Sequence, residues 1–308
     1  MSCINDIFTK KLTGEHVVRG WVRSVRKKKK FSFLVLNDGS CQDNLQVVLD
    51  LEIDGYEEVS SCLTGASVEI RGDVVESQGK GQNLEMVAKK AILLGSSDET
   101  YPLQKKTTSI EFIRENAHLR ARTNLFGAIF RIRNTLAKAT HDFFQDEGFY
   151  YVNTPIITAI DAEGAGEMFN ISTLDPKKPP LDTKGNIDYS KDYFGKSTNL
   201  TVSGQLNAEC LALGLGKVYT FGPTFRSEKS FTSRHLSEFW MIEPEVAFYD
   251  LDDVAELGAK YIQYIINEAL KKCKRELEFL TGREEVDSEL IPKLQAVVES
   301  DFKKITYS

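Results

Sequence analysis

The stretch that most constrains the fold is residues 218–248, which side-chain alternation predicts to be two β-strands joined by a charged loop. The return strand places Phe239, Glu243 and Glu245 on one face. An aromatic ring beside two carboxylates is not typical of a hydrophobic core, and it indicates the floor of a pocket. The predicted strands are residues 218–226 and 238–248.

The loop between these strands, residues 227–237, concentrates groups that bind phosphates. It contains Arg234, His235 and Glu228, and Arg226 stands at the end of the first strand. A guanidinium suits oxyanions because its donors form a planar fork. The alternative is a solvated hairpin with ordinary surface charges. The paired carboxylates, and an arginine that ends a mostly apolar strand, favour a binding site.

These residues resemble motif 2 of the class II aminoacyl-tRNA synthetases that act on aspartate, asparagine and lysine. The pattern is F-R-x-E followed by R-H-L-x-E-F-x-x-x-E-x-E, and its detail is most similar to the asparagine-specific members of bacterial type. The resemblance implies that Arg226 is catalytic and bridges the amino-acid carboxylate and the α-phosphate of ATP, while Phe239 stacks on adenine. Further ATP contacts are implied for Glu228, Arg234 and His235.

Residues 200–209, LTVSGQLNAE, resemble the amino-acid recognition segment of the same family. Aspartate-specific relatives carry a lysine that neutralises the substrate carboxylate at the position that Ala208 takes here. A neutral amide needs no such cation, so we expect the site to prefer L-asparagine. The resemblance implies that the amino-acid contacts are Glu163, Ser203, Gln205, Glu209 and Glu243.

The N-terminal region is predicted to form a small β-barrel. Five short alternating segments separated by turn signals fit the five-stranded OB-fold. Residues 19–30 also carry seven cations and no acid, which suits single-stranded nucleic acid. The alternative is that Phe31 and Phe33 pack the barrel interior. By resemblance, the anticodon contacts are Arg26, Phe33 and Gln46. The predicted strands are residues 17–25, 31–37, 45–50, 66–75 and 84–93.

The predicted fold class is α+β, with an OB-fold followed by an antiparallel synthetase sheet. We expect an anticodon-binding domain at 1–95, a linker at 96–118 and the first part of a catalytic domain at 119–308. A long helix over 124–147, stopped by Gly148 and followed by a short strand, resembles motif 1, which implies a homodimer. Further helices are predicted over 252–280 and 288–302.

The family's third motif, a Gly-rich strand and helix with a second ATP-binding arginine, has no counterpart before Ser308. We therefore expect the chain to correspond to about the first two thirds of a family member and to form no adenylate by itself. The resemblance implies ATP and Mg²⁺ as cofactors, with the main Mg²⁺ ligands beyond Ser308, and tRNA(Asn) as partner. Two alternatives remain: an aspartyl-tRNA synthetase that accepts one or both tRNAs, and an inactive tRNA-binding paralogue.

Composition excludes several other classes of protein. The net charge of −6 argues against general polyanion binding, so any nucleic-acid contact depends on local patches. The five cysteines form no C-x-x-C pair, which predicts reduced thiols, a cytoplasmic location and no structural zinc site. No apolar run is long enough to span a bilayer.

Overall fold

The computed structural model describes residues 1–77, 79, 82–104, 108–162, 164, 167–230, 232 and 235–306. The chain divides into two units. The first comprises Met1–Thr135 with Ala269–Gln295, and the second comprises Leu136–Glu268 with Ala296–Ser308. Within the described ranges, no helix has both the length and the apolar character needed to cross a membrane.

The first unit contains a closed barrel with the strand order β1-β2-β3-β5-β4. The predicted five-stranded OB-fold is confirmed. Strands β2 and β3 have the predicted bounds. Strands β1 and β5 extend two or three residues beyond their predicted ends, and β4 begins and ends one residue later than predicted. The elements are α1 (Ile4–Thr9), β1 (Gly14–Lys27), β2 (Phe31–Asn37), β3 (Leu45–Asp50), α2 (Tyr56–Ser60), β4 (Ser67–Glu76), β5 (Leu84–Gly95) and α3 (Ile110–Glu115).

Alternation along the strands explains why this barrel closes around an apolar core. On β2, Leu34 and Leu36 are fully buried, whereas Phe33 and Val35 point away from the core and remain half-exposed. Each fully buried aliphatic side chain of this kind contributes roughly 1.5–3 kcal/mol relative to an exposed one. The interpretation that Phe31 and Phe33 pack the barrel interior is therefore wrong.

The second unit is built around a three-stranded sheet, β11-β10-β6, and a smaller sheet, β7-β9-β8. The predicted hairpin is confirmed, with each strand ending one or two residues earlier than expected. The elements that lie wholly in this unit are β6 (Tyr150–Tyr151), β7 (Ile157–Thr158), β8 (Asn170–Ile171), β9 (Thr198–Leu200), α5 (Gln205–Leu215), β10 (Lys217–Phe225) and β11 (Glu238–Val246). Helices α4 (Asn124–Asp146), α6 (Leu251–Lys272) and α8 (Leu290–Glu299) are divided between the two units, and α7 (Lys274–Thr281) belongs to the first.

One face of the hairpin β10–β11 is buried in an aromatic cluster. Tyr219 is fully buried and stacks on Phe144 of α4, with ring centroids 4.7 Å apart. Its hydroxyl bonds the His141 ring at 2.7 Å. Phe143 and Leu257 complete this cluster. Because the aromatic face is covered, the opposite face, which carries the carboxylates, is free to form a site.

Two helix ends can be compared with their predictions. Gly148 follows α4 with φ +81°, a conformation that glycine adopts without steric cost, so the predicted stop is confirmed. The predicted continuous helix over 252–280 is wrong, because the chain breaks at Cys273 into α6 and α7. After the break, Glu276 is buried against Arg131, with Nε donating to Oε1 at 2.8 Å. The second helix therefore is not a continuation of α6, and it holds Glu276 in this ion pair.

Candidate active site

The hairpin brings Arg226 beside Phe239. Thr224, two residues before Arg226, pairs with Phe239 across the strands, and the Arg226 guanidinium lies 5.5 Å from the Phe239 ring centroid. Nη2 donates to the Val202 carbonyl at 3.4 Å. Nε is buried without a hydrogen-bond partner. A buried donor without a partner is costly unless a ligand accepts from it, so this guanidinium is preorganised for an anion.

Glu243 is held in one orientation by three donors. It accepts hydrogen bonds from Ser203 Oγ, from the Gly204 backbone at 3.1 Å and from Thr220 Oγ1 at 2.8 Å. Glycine is required at 204 because a Cβ there would lie 2.5 Å from Thr154 Oγ1. Thr154, Gly204, Thr220 and Glu243 line one small pocket. A fixed carboxylate in such a pocket suits an ammonium group.

Two further acidic side chains lie near Glu243. Burial raises the pKa of Glu245 from 4.5 to about 7, and the charges of Glu209 and Glu243 add to the effect. Glu209 also accepts a hydrogen bond from Gln205 Nε2 at 3.0 Å. The local field therefore favours cationic or neutral groups and opposes an added carboxylate.

We expect the raised pKa of Glu245 to make the fold less stable as pH rises from 4.5 to 7. In that window the native carboxyl keeps its proton while the unfolded chain loses it, so protons leave on unfolding and higher pH favours the unfolded state. Glu245→Gln removes this contribution. Thermal unfolding should therefore show the variant gaining melting temperature relative to the parent between pH 4.5 and pH 7.

The control for this measurement is Glu238→Gln, which changes an exposed carboxyl on the same strand. Its melting temperature should run parallel to that of the parent across the window. A Glu245→Gln profile that also ran parallel to the parent would contradict the assignment of the titration to Glu245.

The position of Ala208 differs from the prediction that this residue faces the amino-acid substrate. It is 0% exposed and packs with Val152, Ala212 and Val218 in a small apolar cluster. The interpretation that this residue faces the amino-acid substrate is not supported. On α5, Gln205 and Glu209 share the polar face, and positions 208 and 212 form the apolar one.

The charged loop after β10 is only partly described. Glu228 and His235 are exposed, and the His235 ring bonds the Thr232 hydroxyl. Glu163 and Arg234 lie outside the described residues. The structure thus brings together Arg226, Phe239, Ser203 and Glu243, and it leaves the predicted roles of the loop side chains as predictions.

On the barrel surface, the three predicted anticodon residues lie on strands β1, β2 and β3. The Arg26 guanidinium is 5.0 Å from the Phe33 ring centroid. Gln46 donates to Glu85 at 3.0 Å, an acceptor that the sequence did not suggest because it lies 39 residues away. An exposed ring with an adjacent guanidinium is the arrangement that stacks unpaired bases.

The described residues contain no group of three or more His, Cys, Asp or Glu side chains that could hold a metal ion. The fit for Mg²⁺ is therefore poor in this part of the chain, and no chemical step is assigned to a metal. The half-exposed ring of Phe239 and the unpaired donor of Arg226 do fit a nucleotide.

Comparison with known proteins gives consistent results. Residues 109–308 match the family described as "tRNA synthetases class II (D, K and N)", and residues 16–94 match "OB-fold nucleic acid binding domain". The chain is 50% identical to the asparagine–tRNA ligase of Clostridium novyi, over 97% of this chain and 65% of that protein. It is also 50% identical to that of Aliivibrio fischeri, over 99% of this chain and 66% of that protein.

Among solved structures, the asparaginyl-tRNA synthetase of Pyrococcus horikoshii complexed with asparaginyl-adenylate superposes with a TM-score of 0.77 at 26% identity. The match covers 92% of this chain and 61% of that one. The chain thus spans about two thirds of the length of the curated relatives it matches.

Proposed function

Because the chain belongs to the class II tRNA synthetases of the aspartate, lysine and asparagine group, we propose that the protein attaches asparagine to tRNA(Asn) at the expense of ATP. The observation that carries the proposal is the Arg226–Phe239 pair beside the fixed carboxylate of Glu243. The naming of the curated relatives as asparagine–tRNA ligases supports the same activity.

In the first step, an oxygen of the asparagine α-carboxylate attacks the α-phosphorus of ATP, and pyrophosphate leaves with its bonding electrons. Arg226 stabilises the charge on both reacting groups, because its fork can donate to a carboxylate and a phosphate together. Phe239 stacks on adenine and fixes the nucleotide. Glu228 is assigned to a further contact with the ATP, and Arg234 and His235 are assigned to its terminal phosphates. Positioning supplies most of the acceleration in such a reaction.

In the second step, the terminal ribose hydroxyl of tRNA attacks the asparaginyl carbonyl, and AMP leaves. Glu243, with Ser203 bound to it, holds the substrate ammonium through both steps. Gln205 and Glu209 are assigned to the side-chain amide, and Glu163 is assigned to the bound amino acid. Discrimination against aspartate follows from Glu209, Glu243 and Glu245, since a substrate carboxylate would add to an acidic cluster.

We further assign anticodon binding to residues 1–95, catalysis to residues 119–308, and a linking role to residues 96–118. The motif 1 region is proposed to contact a second copy of the chain. Exposed apolar side chains after α4 support this: Tyr150, Tyr151, Ile156, Ile157 and Ile160. The five free cysteines are in keeping with a cytoplasmic location.

The activity is tested by asparagine-dependent ATP–pyrophosphate exchange, using the protein expressed from its complete reading frame. Exchange that depends on asparagine and is at least tenfold weaker with aspartate would support the proposal. Preference for aspartate would assign the protein to the aspartyl enzymes instead. Failure of exchange with both amino acids, together with retained tRNA binding, would identify a tRNA-binding paralogue.

We expect Phe33→Ala to weaken binding of an asparagine anticodon stem-loop by about 1–3 kcal/mol, the usual scale for one stacked base. The ring is half-exposed on the barrel surface, so its loss leaves the apolar core intact. Fluorescence anisotropy with a labelled stem-loop measures the effect. Phe112→Ala, which removes an exposed ring on α3, is the matched control and should bind as the parent does. Equal affinity of both variants would argue against stacking on Phe33.

A further inference from the structure

A cavity of about 550 Å³ lies within the first unit, between the barrel and the first turn of α4. This volume falls in the range of roughly 300–1,000 Å³ that small-molecule pockets occupy. None of the residues assigned above to ATP, asparagine or the anticodon lines it. Its lining includes Trp21, Arg23, Asp38, Tyr101, Arg122 and Arg131.

Arg23 lines this cavity at a bulge in β1. The pairing of β1 with β2 passes from Val22–Leu36 to Ser24–Val35, so Arg23 has no opposite residue on β2. The backbone of Val22 bonds instead to Gly65 and Ala66, in each case at 2.8 Å, which fixes the irregularity. Bulges of this kind redirect a side chain out of the regular alternation and are frequent beside functional sites.

The positive charge of this cavity is not balanced by its own lining. Across the residues that the structure describes, no carboxylate forms an ion pair with Arg23 or Arg122. Arg122 donates to the Tyr101 hydroxyl at 3.3 Å and stacks 4.9 Å from the Trp21 ring. Burial lowers the pKa of Arg23, and the charges of Arg122 and Arg131 act in the same direction.

The nearby acids are already engaged elsewhere. Asp38 accepts a hydrogen bond at 2.7 Å from the backbone N–H of Ile4, at the start of α1. It accepts another at 2.9 Å from the backbone N–H of Ser40, in its own turn. Glu276 pairs with Arg131. The lining therefore carries two cations, Arg23 and Arg122, that lack a counter-charge.

The first turn of α4 adds a third positive element. Thr123, Asn124 and Gly127 line the cavity, and the first turn of this 23-residue helix contains no acidic side chain. The N-terminal end of a helix carries a partial positive charge, which attracts phosphate. Here Thr123 Oγ1 accepts from the Phe126 N–H at 3.3 Å, so this turn contributes mainly its charge.

We propose that this cavity binds a phosphate-bearing ligand of about nucleotide size, with the phosphate held by Arg23, Arg122 and the first turn of α4. Trp21 and Tyr101 provide flat apolar walls for the remainder of the ligand. Both guanidiniums are half-buried without an ionic partner, which is costly, and a bound phosphate removes that cost. The phosphate can belong to a free nucleotide or to a phosphodiester of RNA, and the experiment separates the two sources.

The test is calorimetric titration of the whole chain with each ribonucleoside 5′-monophosphate, with the matching nucleosides, with inorganic phosphate and with tRNA. Arg23→Gln should weaken binding of the phosphate-bearing ligand by about tenfold or more, as loss of a charge-assisted hydrogen bond predicts. Arg283→Gln, which removes a half-buried arginine of the same unit that lies outside the cavity lining and pairs with Glu285, should bind as the parent does. Phe239→Ala removes the proposed adenine contact, so monophosphate binding that persists in this variant and weakens with Arg23→Gln is assigned to the cavity rather than to the proposed ATP site.

Melting temperatures distinguish a binding role from a structural one. Without ligand, Arg23→Gln should be at least as stable as the parent, because it removes a half-buried charge that has no partner. Monophosphate binding lost in Arg23→Gln would identify a free nucleotide, and tRNA binding lost without any monophosphate binding would identify an RNA phosphate. Absence of saturable binding by every probe, equal affinity in Arg23→Gln, or a lowered melting temperature in that variant would overturn the proposal.

Discussion

Arg226→Gln is expected to reduce asparagine-dependent pyrophosphate exchange by a factor of about 10²–10³, the usual cost of removing one preorganised donor from a reacting oxyanion. The substitution keeps a polar side chain but shortens it and removes the charge and the fork. Since Nε has no partner within the protein, the donor is held ready for a ligand rather than used by the fold. Steady-state exchange with the protein from the complete reading frame measures the loss.

Lys229→Gln is the matched control for this prediction, because it removes an exposed cation from the same loop. It should exchange pyrophosphate at the rate of the parent. The melting temperature of Arg226→Gln should also stay within a few degrees of the parent, so that lost activity reflects lost chemistry. An Arg226→Gln enzyme that kept more than a third of the parental rate would refute the assigned role.

Ala208→Lys is expected to destabilise the fold by about 3 kcal/mol or more, since it adds bulk and a charge to an apolar cluster. The methyl group is fully buried between Val152, Ala212 and Val218. Denaturant unfolding of the chain measures the loss. The family resemblance instead predicts that a lysine at position 208 enters the substrate pocket and neutralises the carboxylate of aspartate, so the measurement distinguishes the two.

The matched control is Leu213→Lys on the same helix, where the side chain is 87% exposed. That variant should unfold at the same denaturant concentration as the parent. If Ala208→Lys also unfolded like the parent and gained affinity for aspartate, position 208 would face the substrate after all. The structural assignment of Ala208 to the apolar cluster would then be wrong.

The barrel and the hairpin could be predicted from sequence because local patterns determine them. Strands β2 and β3 are short, mostly apolar runs that end at polar residues, and the turn residues Asn37, Asp38 and Gly39 mark the end of β2, so their bounds follow directly. The two faces of β10 and β11 follow from the same period of two, which placed Phe239 and Glu243 together.

Features that depend on contacts between distant residues could not be predicted in this way. The break at Cys273 coincides with a pair between Glu276 and Arg131, which are 145 residues apart. Gln46 meets Glu85 through the closure of the barrel. The burial of Ala208 depends on Val152, which lies far away in the chain, and on the way Val218 of the next strand packs back against α5, so the sequence offers no direct reason to remove Ala208 from the pocket.

The two faces of the hairpin predict different effects for mutations at odd-numbered and at even-numbered positions. On β10, substitutions at odd positions such as Tyr219 and Phe221 disturb the aromatic cluster, whereas those at even positions such as Thr220 reach the carboxylate. On β11 the parity reverses, with Ile242 in the cluster and Glu243 in the pocket. Between Tyr219 and Gly222, and across the facing residues 241–244, mutations that lower protein abundance and mutations that impair turnover of folded protein should alternate residue by residue, with odd and even positions exchanging roles between the two strands.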